Sequence, residues 1–323
     1  MGIPSGLAAQ VGAADETVYG TPAEASKFFE FIQESLKLDV KRMESAAIRA
    51  GTRVMRSDDW LPGERAVAGS LDLELSTKGL GFWLGHSFGS VVTSQPDVGA
   101  SPTVYKHTFV PGDLPGTFTV QVGRPTTAGV VEPFTYTGCQ VKDWELGVDV
   151  GGIATLKLGI IGRDELLTED LAEPVYPTGS TLLSFVRGTV TVGGSPSSIK
   201  KFSVKGVTGL DDARYAIGSA LRDEPLENDL RDISGSFEAE FDSTVDYARF
   251  VAGSEAEIVL ELQGPVIEDA IRYSIKITLN ARFDGETPSV GDRGVVQRSV
   301  PFKVVDNGTL SARVEYTTTD VLP

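Results

Sequence analysis

Residues 52–87, TRVMRSDDWLPGERAVAGSLDLELSTKGLGFWLGHS, form the stretch that decides how the rest of this sequence is interpreted. It begins with polar residues around Trp60, continues with a segment in which apolar and polar residues alternate, and ends in a short run with helical character. Alternation over several residues is typical of a β-strand that buries one face. The stretch therefore predicts a loop, a strand and a short helix in succession.

A second stretch, RDEPLENDLRDISGSFEAEF at residues 222–241, repeats the first without a gap. Three pairs of identical residues are separated by 166 positions: Arg65 and Arg231, Gly69 and Gly235, and Ser70 and Ser236. Sequence similarity at a fixed spacing indicates repeated structural units. Because the spacing is about half the chain, we expect two similar units joined in one polypeptide.

Each copy of the repeat alternates with a period of two. In the first copy Leu71, Leu73 and Leu75 alternate with polar residues, and in the second Phe237, Ala239 and Phe241 do so. A two-residue period places each set on one side of a sheet. The polar side carries four carboxylates, which are Asp72, Glu74, Glu238 and Glu240.

A short helix is predicted after each of these strands. Ser243 is a suitable N-cap for TVDYARFVAG, and Gly253 is a suitable stop. In the first copy Thr77 would cap KGLGFWLGHSFG, although two early glycines lower its helix propensity. We expect both helices to cover a sheet edge or to seal contacts between units.

Composition favours a β-rich protein of about two domains. The chain has 323 residues, of which 41% are hydrophobic, 36 are Gly and 17 are Pro, and the prior is roughly 100–200 residues per domain. Its single cysteine cannot form an intramolecular disulfide. The N-terminal residues lack the features of a signal peptide, and no run of about 18 apolar residues occurs. We expect a soluble protein made in a cytoplasm.

The formal net charge of −16 argues against a broad surface that grips nucleic-acid phosphates. General solubility explains most acidic proteins. A sharper alternative is a wall past which DNA must move without sticking, because repulsion would then be useful.

Four segments are expected. Residues 1–27 form an N-terminal arm, either disordered or ordered on a neighbouring subunit. Residues 28–165 form a first β unit, with a strand from about Ser35, a second strand over residues 46–55 and an exposed loop SDDWLPGER. Residues 166–180 are an acidic linker containing prolines, and residues 181–323 form a second β unit.

No catalytic or metal site is expected. Residues 85–89, GHSFG, match the pattern of a nucleophile elbow, but that motif needs a buried strand before its serine and a histidine far downstream. His86 and His107 are the only histidines, so a histidine-rich metal site is disfavoured. We predict no enzyme activity, no cofactor and no metal, and interpret both histidines as surface or packing residues.

Two tryptophans have different expected roles. Trp144 lies in an alternating strand, where core packing is the default. Trp60 lies in the predicted loop, where an exposed tryptophan is equally a candidate for an interface or for packing on its own domain. The residues predicted to contact another subunit are Val18, Tyr19, Trp60 and Leu61.

The ordered set of features resembles the major tail (tail tube) proteins of long non-contractile-tailed bacteriophages, particularly those of actinobacterial hosts. The segments that carry this resemblance are QVGAADETVYGTP, GTRVMRSDDWLPGERAVAGSLDLELSTKGLGFWL, TYTGCQVKDWELGVDVGGIATLKLGIIGRDE and the closing YTTTD. They span nearly the whole chain, and no single motif among them is diagnostic.

The resemblance implies a mainly β fold: duplicated tail-tube-type β-sandwich units with short flanking helices, whose strands join between subunits into a closed β-barrel ring. Stacked rings would form the tube through which the genome leaves the virion. If each copy of the repeat supplies one sixth of a ring, three chains form a pseudo-hexamer; otherwise six chains are needed.

The same resemblance implies the partners and the location. The partners would be other copies of this chain, a tape-measure protein, tail terminator or tip proteins, and DNA in transit without specific binding, with no membrane. The protein would be assembled in the host cytoplasm into a virion tail. We expect Asp72, Glu74, Glu238 and Glu240 to face the lumen, although solvation of an outer face explains them equally well.

A β-sandwich binding module is the alternative function, for carbohydrate or receptor recognition at a phage tail tip or a cell surface. Such a module would favour a groove lined with aromatic residues. The chain contains only 8% aromatic residues, scattered over separate strands, so the sequence gives this alternative little support.

Overall fold

The expected mainly β fold is confirmed by a computed structural model, which describes residues 5–285, 287 and 295–323. The strands of the first half are β1 (Gln10–Asp15), β2 (Lys27–Phe29), β3 (Gln33–Glu34), β4 (Lys37–Glu44), β5 (Trp60–Glu74), β6 (Gly89–Ser94), β7 (Tyr105–Pro111), β8 (Phe118–Pro125), β9 (Val131–Asp149), β10 (Thr155–Gly162) and β11 (Asp164–Leu166). Those of the second half are β12 (Gly188–Val192), β13 (Ser195–Pro196), β14 (Ile199–Val207), β15 (Leu210–Asp211), β16 (Leu226–Glu227), β17 (Asp232–Glu240), β18 (Glu255–Glu268), β19 (Ile271–Phe283), β20 (Gln297–Val304) and β21 (Ala312–Thr318). Two α-helices, α1 (Gly81–Phe88) and α2 (Val245–Ala252), follow β5 and β17. The two 3-10 turns are Gly6–Ala8 and Phe185–Arg187.

The longest run of paired strands, called the long sheet below, crosses both halves of the chain. Its order is β4, β5, β10, the C-terminal part of β9, β14, β17 and β20, and every neighbouring pair is antiparallel. The short strand β3 continues the β4 side beside β5. The two halves are joined in this sheet where β14 pairs with residues 143–149 of β9.

A second layer packs behind the long sheet, in the order β13, β12, β18, β19, β21, β7 and β6. It is connected to the long sheet at one corner, where residues 281–283 of β19 pair with residues 302–304 of β20. A third group, β2, β1, β8 and β11, is built on the N-terminal part of β9. The architecture is consistent with a β-sandwich.

The core lies between these layers because each strand directs alternate apolar residues inward. Leu71, Leu158 and Trp144 lie side by side in three neighbouring strands of the long sheet, and none is more than 5% exposed. Burial of one such side chain contributes about 1.5–3 kcal/mol. The prediction that Trp144 is a core residue is confirmed.

Aromatic rings fill the space around α1. Trp83 contacts Phe29 and Phe118 with ring centroids 4.9 and 5.6 Å apart. In the second half Phe237 packs edge-on against Phe283. Both helices therefore follow strands whose apolar faces belong to the same core.

The predicted strand over residues 46–55 is wrong, and the loop predicted at SDDWLPGER is confined to residues 57–59. Residues 45–59 contain no strand, whereas β5 begins at Trp60 and includes Pro62. The ladder with β4 extends to the pair Glu44 and Trp60. Pro62 is accommodated because β10 reaches only as far as Val67, so that among the described residues Pro62 has no strand partner on that side.

Both predicted helices are present, but their predicted N-caps are wrong. Leu80 and Thr244 occupy the N-cap positions, and neither helix has a side-chain cap. Thr77 is buried instead and accepts a hydrogen bond from the Thr181 N–H at 2.9 Å. The predicted stop at Gly253 is confirmed, since it adopts the left-handed conformation with φ 63°.

The segment predicted to be an N-terminal arm contains a core strand. Residues 10–15 form β1 between β2 and β8, and the side chains of Val11 and Ala13 are fully buried. For these residues the expectation of disorder or of docking on a neighbour is wrong. The alternating small and apolar residues of QVGAAD provide the buried faces.

Within the described part of one chain, the strands do not close into a barrel. Among the residues that the structure describes, nothing pairs with the outer side of β4 or with residues 297–300 of β20 on the side away from β17.

Candidate functional site: an acidic sheet face with open edges

The four carboxylates singled out in the repeat lie on one face of the long sheet. Strand registers place Asp72 and Glu74 of β5, and Glu238 and Glu240 of β17, on the side opposite the core. Strands β10, β9 and β14 lie between these two pairs. The structure therefore brings the four residues onto a shared surface, called the acidic face below.

The acidic face carries more negative than positive charges. Its carboxylates are Asp39, Asp72, Glu74, Asp143, Glu145, Asp149, Asp232, Glu238 and Glu240. Its lysines are Lys37, Lys157, Lys201, Lys205 and Lys303. With Lys200, whose ammonium lies 2.8 Å from the Glu240 carboxylate, the lysines number six, and the nine carboxylates still outnumber them.

Cross-strand pairs distribute these charges along the face. Lys157 lies between Asp72 and Glu145, and Lys201 lies between Asp149 and Glu238. The Lys201 ammonium is 3.7 Å from the Asp149 carboxylate. Such exposed ion pairs contribute about 0–1 kcal/mol each, so their main effect is to set the potential of the surface.

The four residues differ in accessibility. Asp72 is only 7% exposed and accepts a hydrogen bond from the Gln33 side-chain amide at 2.8 Å. Glu74 is half-buried, whereas Glu238 and Glu240 are exposed. Glu240 lies 2.8 Å from the ammonium of Lys200. The second copy of the repeat therefore presents its charges to solvent more fully than the first.

The open edge at β4 is polar and accessible. Lys37, Asp39 and residues 41–44 are exposed, and Leu38 and Val40 are half-buried. Among the residues that the structure describes, only β5 pairs with this strand. Unpaired backbone groups along an edge strand are a template for pairing with another chain.

The residues predicted to contact another subunit are divided between two places. Trp60 is 40% exposed and has the Arg42 guanidinium 5.5 Å from its ring, and Leu61 beside it is 63% exposed. Val18 is also exposed. Tyr19 instead packs within its own chain, where its hydroxyl donates to the Arg222 carbonyl at 3.1 Å.

Sequence reasoning missed the segment that anchors Tyr19. Residues 208–231 of the second half pack on the first half, where the Arg65 N–H donates to the Ala220 carbonyl at 2.8 Å and Lys142 lies 2.7 Å from Asp212. The composition of residues 208–231 did not predict that they pack on the first half, because loop residues of this kind are equally common on surfaces that contact nothing. The length of the segment between β14 and β17 is the sequence feature that could have indicated this packing.

The first four residues of the GHSFG segment form the second half of α1, and Gly89 is the C-cap. The Ser87 hydroxyl donates to the Trp83 carbonyl at 2.7 Å inside the helix, and Ser87 is 3% exposed. The His86 Nε2 lies 2.9 Å from the Asp15 carboxylate, and burial lowers the pKa of His86. Ser87 is thus a helix residue, and His86 packs between Phe82 and Phe118.

His107 is also a packing residue. It is fully buried, with Nδ1 2.8 Å from the Thr93 hydroxyl and Nε2 2.9 Å from the Asp320 carbonyl. Burial lowers its pKa. In residues 5–285, 287 and 295–323 there is no group of three or more His, Cys, Asp or Glu arranged to hold a metal ion.

None of the helices in the described ranges is long and apolar enough to cross a membrane. A search of curated proteins finds no match. A protein-family model described as phage tail tube protein matches residues 6–304, a range that contains residues 52–87, residues 222–241 and the whole long sheet. The chain therefore belongs to the phage tail tube protein family.

Proposed function

We propose that this structural tail protein polymerises as stacked rings into a tail tube, and that the acidic face lines the conduit for genome delivery. The observation that carries the proposal is that Asp72, Glu74, Glu238 and Glu240 lie on the face of one continuous sheet that is opposite the core, where Glu238 and Glu240 are exposed. A net negative wall repels the phosphates of DNA, which favours sliding over binding.

The two open edges of the long sheet support assembly between copies. A sheet with exposed edges is prone to uncontrolled pairing, and closure into a barrel removes those edges. The edge at β4 and the edge along residues 297–300 lie at opposite ends of the same sheet in the described part of the chain. End-to-end joining of copies would therefore extend this sheet around a central axis.

The partners follow from this assembly. Copies of the chain form rings and stack, a tape-measure protein occupies the lumen before DNA, and tail terminator and tip proteins close the two ends. DNA passes in transit without specific binding. Assembly takes place in the host cytoplasm, and the finished protein resides in the virion tail of a siphovirus.

Cryo-electron microscopy of tails purified from the phage that encodes this chain would test the proposal. We expect density for this protein in every ring, with the acidic face towards the axis. A tube whose exterior carries Glu238 and Glu240 would refute the lumen assignment. Absence of the protein from purified tails would refute the tube function itself.

A further inference from the structure

We propose that Arg163 of the first half and Arg222 of the second half bind a small tetrahedral oxyanion, of the class of inorganic phosphate, beside Tyr19. These three residues are called the arginine site below. Arg163 lies between β10 and β11, and Arg222 lies in residues 208–231, the segment that packs on the first half. A bound anion would therefore help to fasten that segment. The inference does not depend on the proposed tube function.

Arg222 carries a buried charge for which the described part of the chain supplies no partner. The residue is only 5% exposed, and its Nε and Nη1 atoms are buried without a hydrogen-bond acceptor. Among the described residues it forms no ion pair. A charged side chain is rarely buried to this degree unless it is paired. The position of Arg222 therefore indicates a partner that is not a side chain of the described residues.

Arg163 is a second guanidinium without an ion pair in the described ranges. Its Nε atom is buried and lacks an acceptor, and its guanidinium carbon lies 5.1 Å from the centre of the Tyr19 ring. Two glycines with positive φ make room for this side chain. A Cβ atom on Gly20 would collide with Arg163 Nη1, and one on Gly138 would lie 2.8 Å from Arg163 Cβ. The fold therefore holds Arg163 closely in place beside the ring.

Tyr19 lies next to both arginines. Its hydroxyl donates to the Arg222 carbonyl oxygen at 3.1 Å, while its ring lies against the Arg163 guanidinium. Burial raises the pKa of Tyr19, and the charges of Arg163 and Arg222 act in the opposite direction. Because the effect of a charge falls with distance, both guanidinium groups lie near the same hydroxyl. One anion beside Tyr19 can therefore interact with both.

Glu16 also influences Tyr19, but its carboxylate is fully engaged by other donors. Four hydrogen bonds of 2.6–2.9 Å reach it, from the N–H groups of Gly20 and Gly138 and the hydroxyls of Thr117 and Thr119. Each of its two oxygens accepts two of these bonds. Since a carboxylate has about four acceptor sites, Glu16 has little capacity left for a guanidinium.

The other carboxylates of this region do not neutralise Arg222 by contact. Asp164 lies 2.6 Å from Arg65, and Asp212 lies 2.7 Å from Lys142. The hydrogen bond from Lys142 lowers the pKa of Asp212, and Arg222 adds to this effect only from a distance. The arginine site thus keeps two cations whose nearest buried carboxylates are committed elsewhere.

A phosphate ion matches the donors that remain. In the described ranges no terminal nitrogen of Arg163 or Arg222 has an acceptor, and all of them except Nη1 of Arg222 retain some access to solvent. The terminal nitrogens of a guanidinium form a fork that fits two phosphate oxygens. Two guanidinium groups favour a dianion over a carboxylate, because attraction scales with the product of the charges. A free ion is favoured over a nucleic-acid backbone, because the whole chain has a net charge of −16.

Isothermal titration calorimetry of the purified chain with inorganic phosphate would test the arginine site, at constant ionic strength and in a buffer without other oxyanions. We expect binding to the wild type, and an affinity lower by about tenfold or more in Arg222→Met and in Arg163→Met. Arg49→Met is the matched control, because Arg49 is exposed and lies outside this region. Its phosphate affinity should equal that of the wild type.

Thermal unfolding gives a second measurement. A ligand that binds only the folded state raises the unfolding midpoint. At a phosphate concentration of about ten times its Kd, we expect the wild-type midpoint to rise by about 2–4 °C relative to chloride at the same ionic strength. The Arg222→Met midpoint should not respond to phosphate.

Glu224→Gln covers the case in which replacement of a buried arginine disturbs the fold. Glu224 is exposed, and its charge also acts on Tyr19. Its loss should leave the fold unchanged and remove a repulsion, so the affinity for phosphate should rise by about twofold to fivefold. A purely structural role of the two arginines predicts no such change.

Four results would overturn the inference. The first is the absence of both heat and a midpoint shift when phosphate is added to the wild type. The second is an equal phosphate affinity in the wild type and in both arginine variants, which would place binding elsewhere. The third is acetate binding as tight as phosphate binding, which would exclude recognition of a dianion. The fourth is tighter binding of a short DNA duplex with the same dependence on Arg222, which would make nucleic acid the ligand.

Discussion

Arg298 of β20 and Asp246 of α2 form a buried ion pair, with Nη1 2.9 Å from Oδ2 and side chains only 7% and 8% exposed. Asp246 also accepts from Arg249 within the helix. The pair ties α2 to the long sheet at the end where the open edge of β20 lies. Removal of Asp246 would leave Arg298, in a poorly solvated place, with only the exposed carboxylate of Asp242 as a partner, and would remove the helix partner of Arg249.

Asp246→Ala is therefore expected to reduce the free energy of unfolding by about 3–5 kcal/mol. Urea unfolding followed by tryptophan fluorescence would measure the change. Asp242, which also contacts Arg298 but is 70% exposed, is the control, and Asp242→Ala should cost less than about 1 kcal/mol. Equal losses from the two variants would contradict the prediction.

Gly69→Ala and Gly235→Ala are each expected to destabilise the fold by about 1–3 kcal/mol, because the added methyl group would collide with a backbone carbonyl of the adjacent strand. Thermal unfolding of the purified variants would measure the loss. Gly116→Ala is the control, since no atom lies within 4 Å of the position that its methyl group would occupy. Unchanged stability in either repeat variant would show that the strands separate easily.

Acidification should destabilise the protein through its two buried histidines. Burial lowers the pKa of His86 and of His107, so below about pH 6.5 the unfolded chain binds protons that the folded chain does not. The stability that depends on keeping these two histidines neutral is therefore complete at pH values above the pKa of a histidine in the unfolded chain. It is lost as the pH falls towards the lower pKa of the same histidine in the folded protein. Each histidine contributes at most about 1.4 kcal/mol per pH unit in that window.

His86→Gln tests this dependence, because glutamine can keep a hydrogen bond to Asp15 without titrating. Lys27 also faces this site and disfavours the protonated imidazole. We expect the midpoint of thermal unfolding to fall less between pH 7 and pH 5.5 in the variant than in the wild type. An identical fall in both proteins would assign the pH dependence to other groups.

Glu238→Lys combined with Glu240→Lys should leave folding intact and impair DNA passage. Both side chains are exposed, and exposed substitutions usually change stability by less than about 0.5 kcal/mol. The two reversals raise the net charge of the acidic face by four units. We expect slower genome ejection from tails of normal length. The fluorescence of a dye that binds the ejected DNA would measure the rate.

A substitution that neutralises one carboxylate provides the control for that experiment. Lys200 lies against Glu240, and Glu240→Gln removes one charge without adding an opposite one. We expect it to have a smaller effect on ejection than the double lysine variant. Ejection at the wild-type rate from the double variant would argue that the acidic face does not meet DNA.

Local alternation predicted the parts of the fold that depend on one strand at a time. The inward leucines of β5, the acidic side of the repeat and the end of α2 at Gly253 follow from residue spacing alone. Pairing between strands that are distant in the sequence could not be predicted from residue spacing. The start of β5 at Trp60 depends on its contact with Glu44, and β1 depends on a partner more than 100 residues away.

The candidate site likewise has features that residue spacing predicted and features that depend on contacts between distant segments. Spacing placed Asp72 and Glu74 on one side of a strand, and likewise Glu238 and Glu240, but it could not show that the two strands share a sheet. That fact depends on β14 joining β9, a contact between residues about 60 positions apart. The packing of Tyr19 on Arg222 also joins distant segments, and no local pattern indicates it.

Strand β9 has a consequence for synthesis of the chain. Its 19 residues reach from the third group of strands into the long sheet, and residues 143–149 receive β14 as a neighbour. On the ribosome, this part of β9 emerges before residues 201–207 and remains open on one side until they follow. The nascent first half thus exposes, for a time, the same kind of edge that the finished protein keeps at β4.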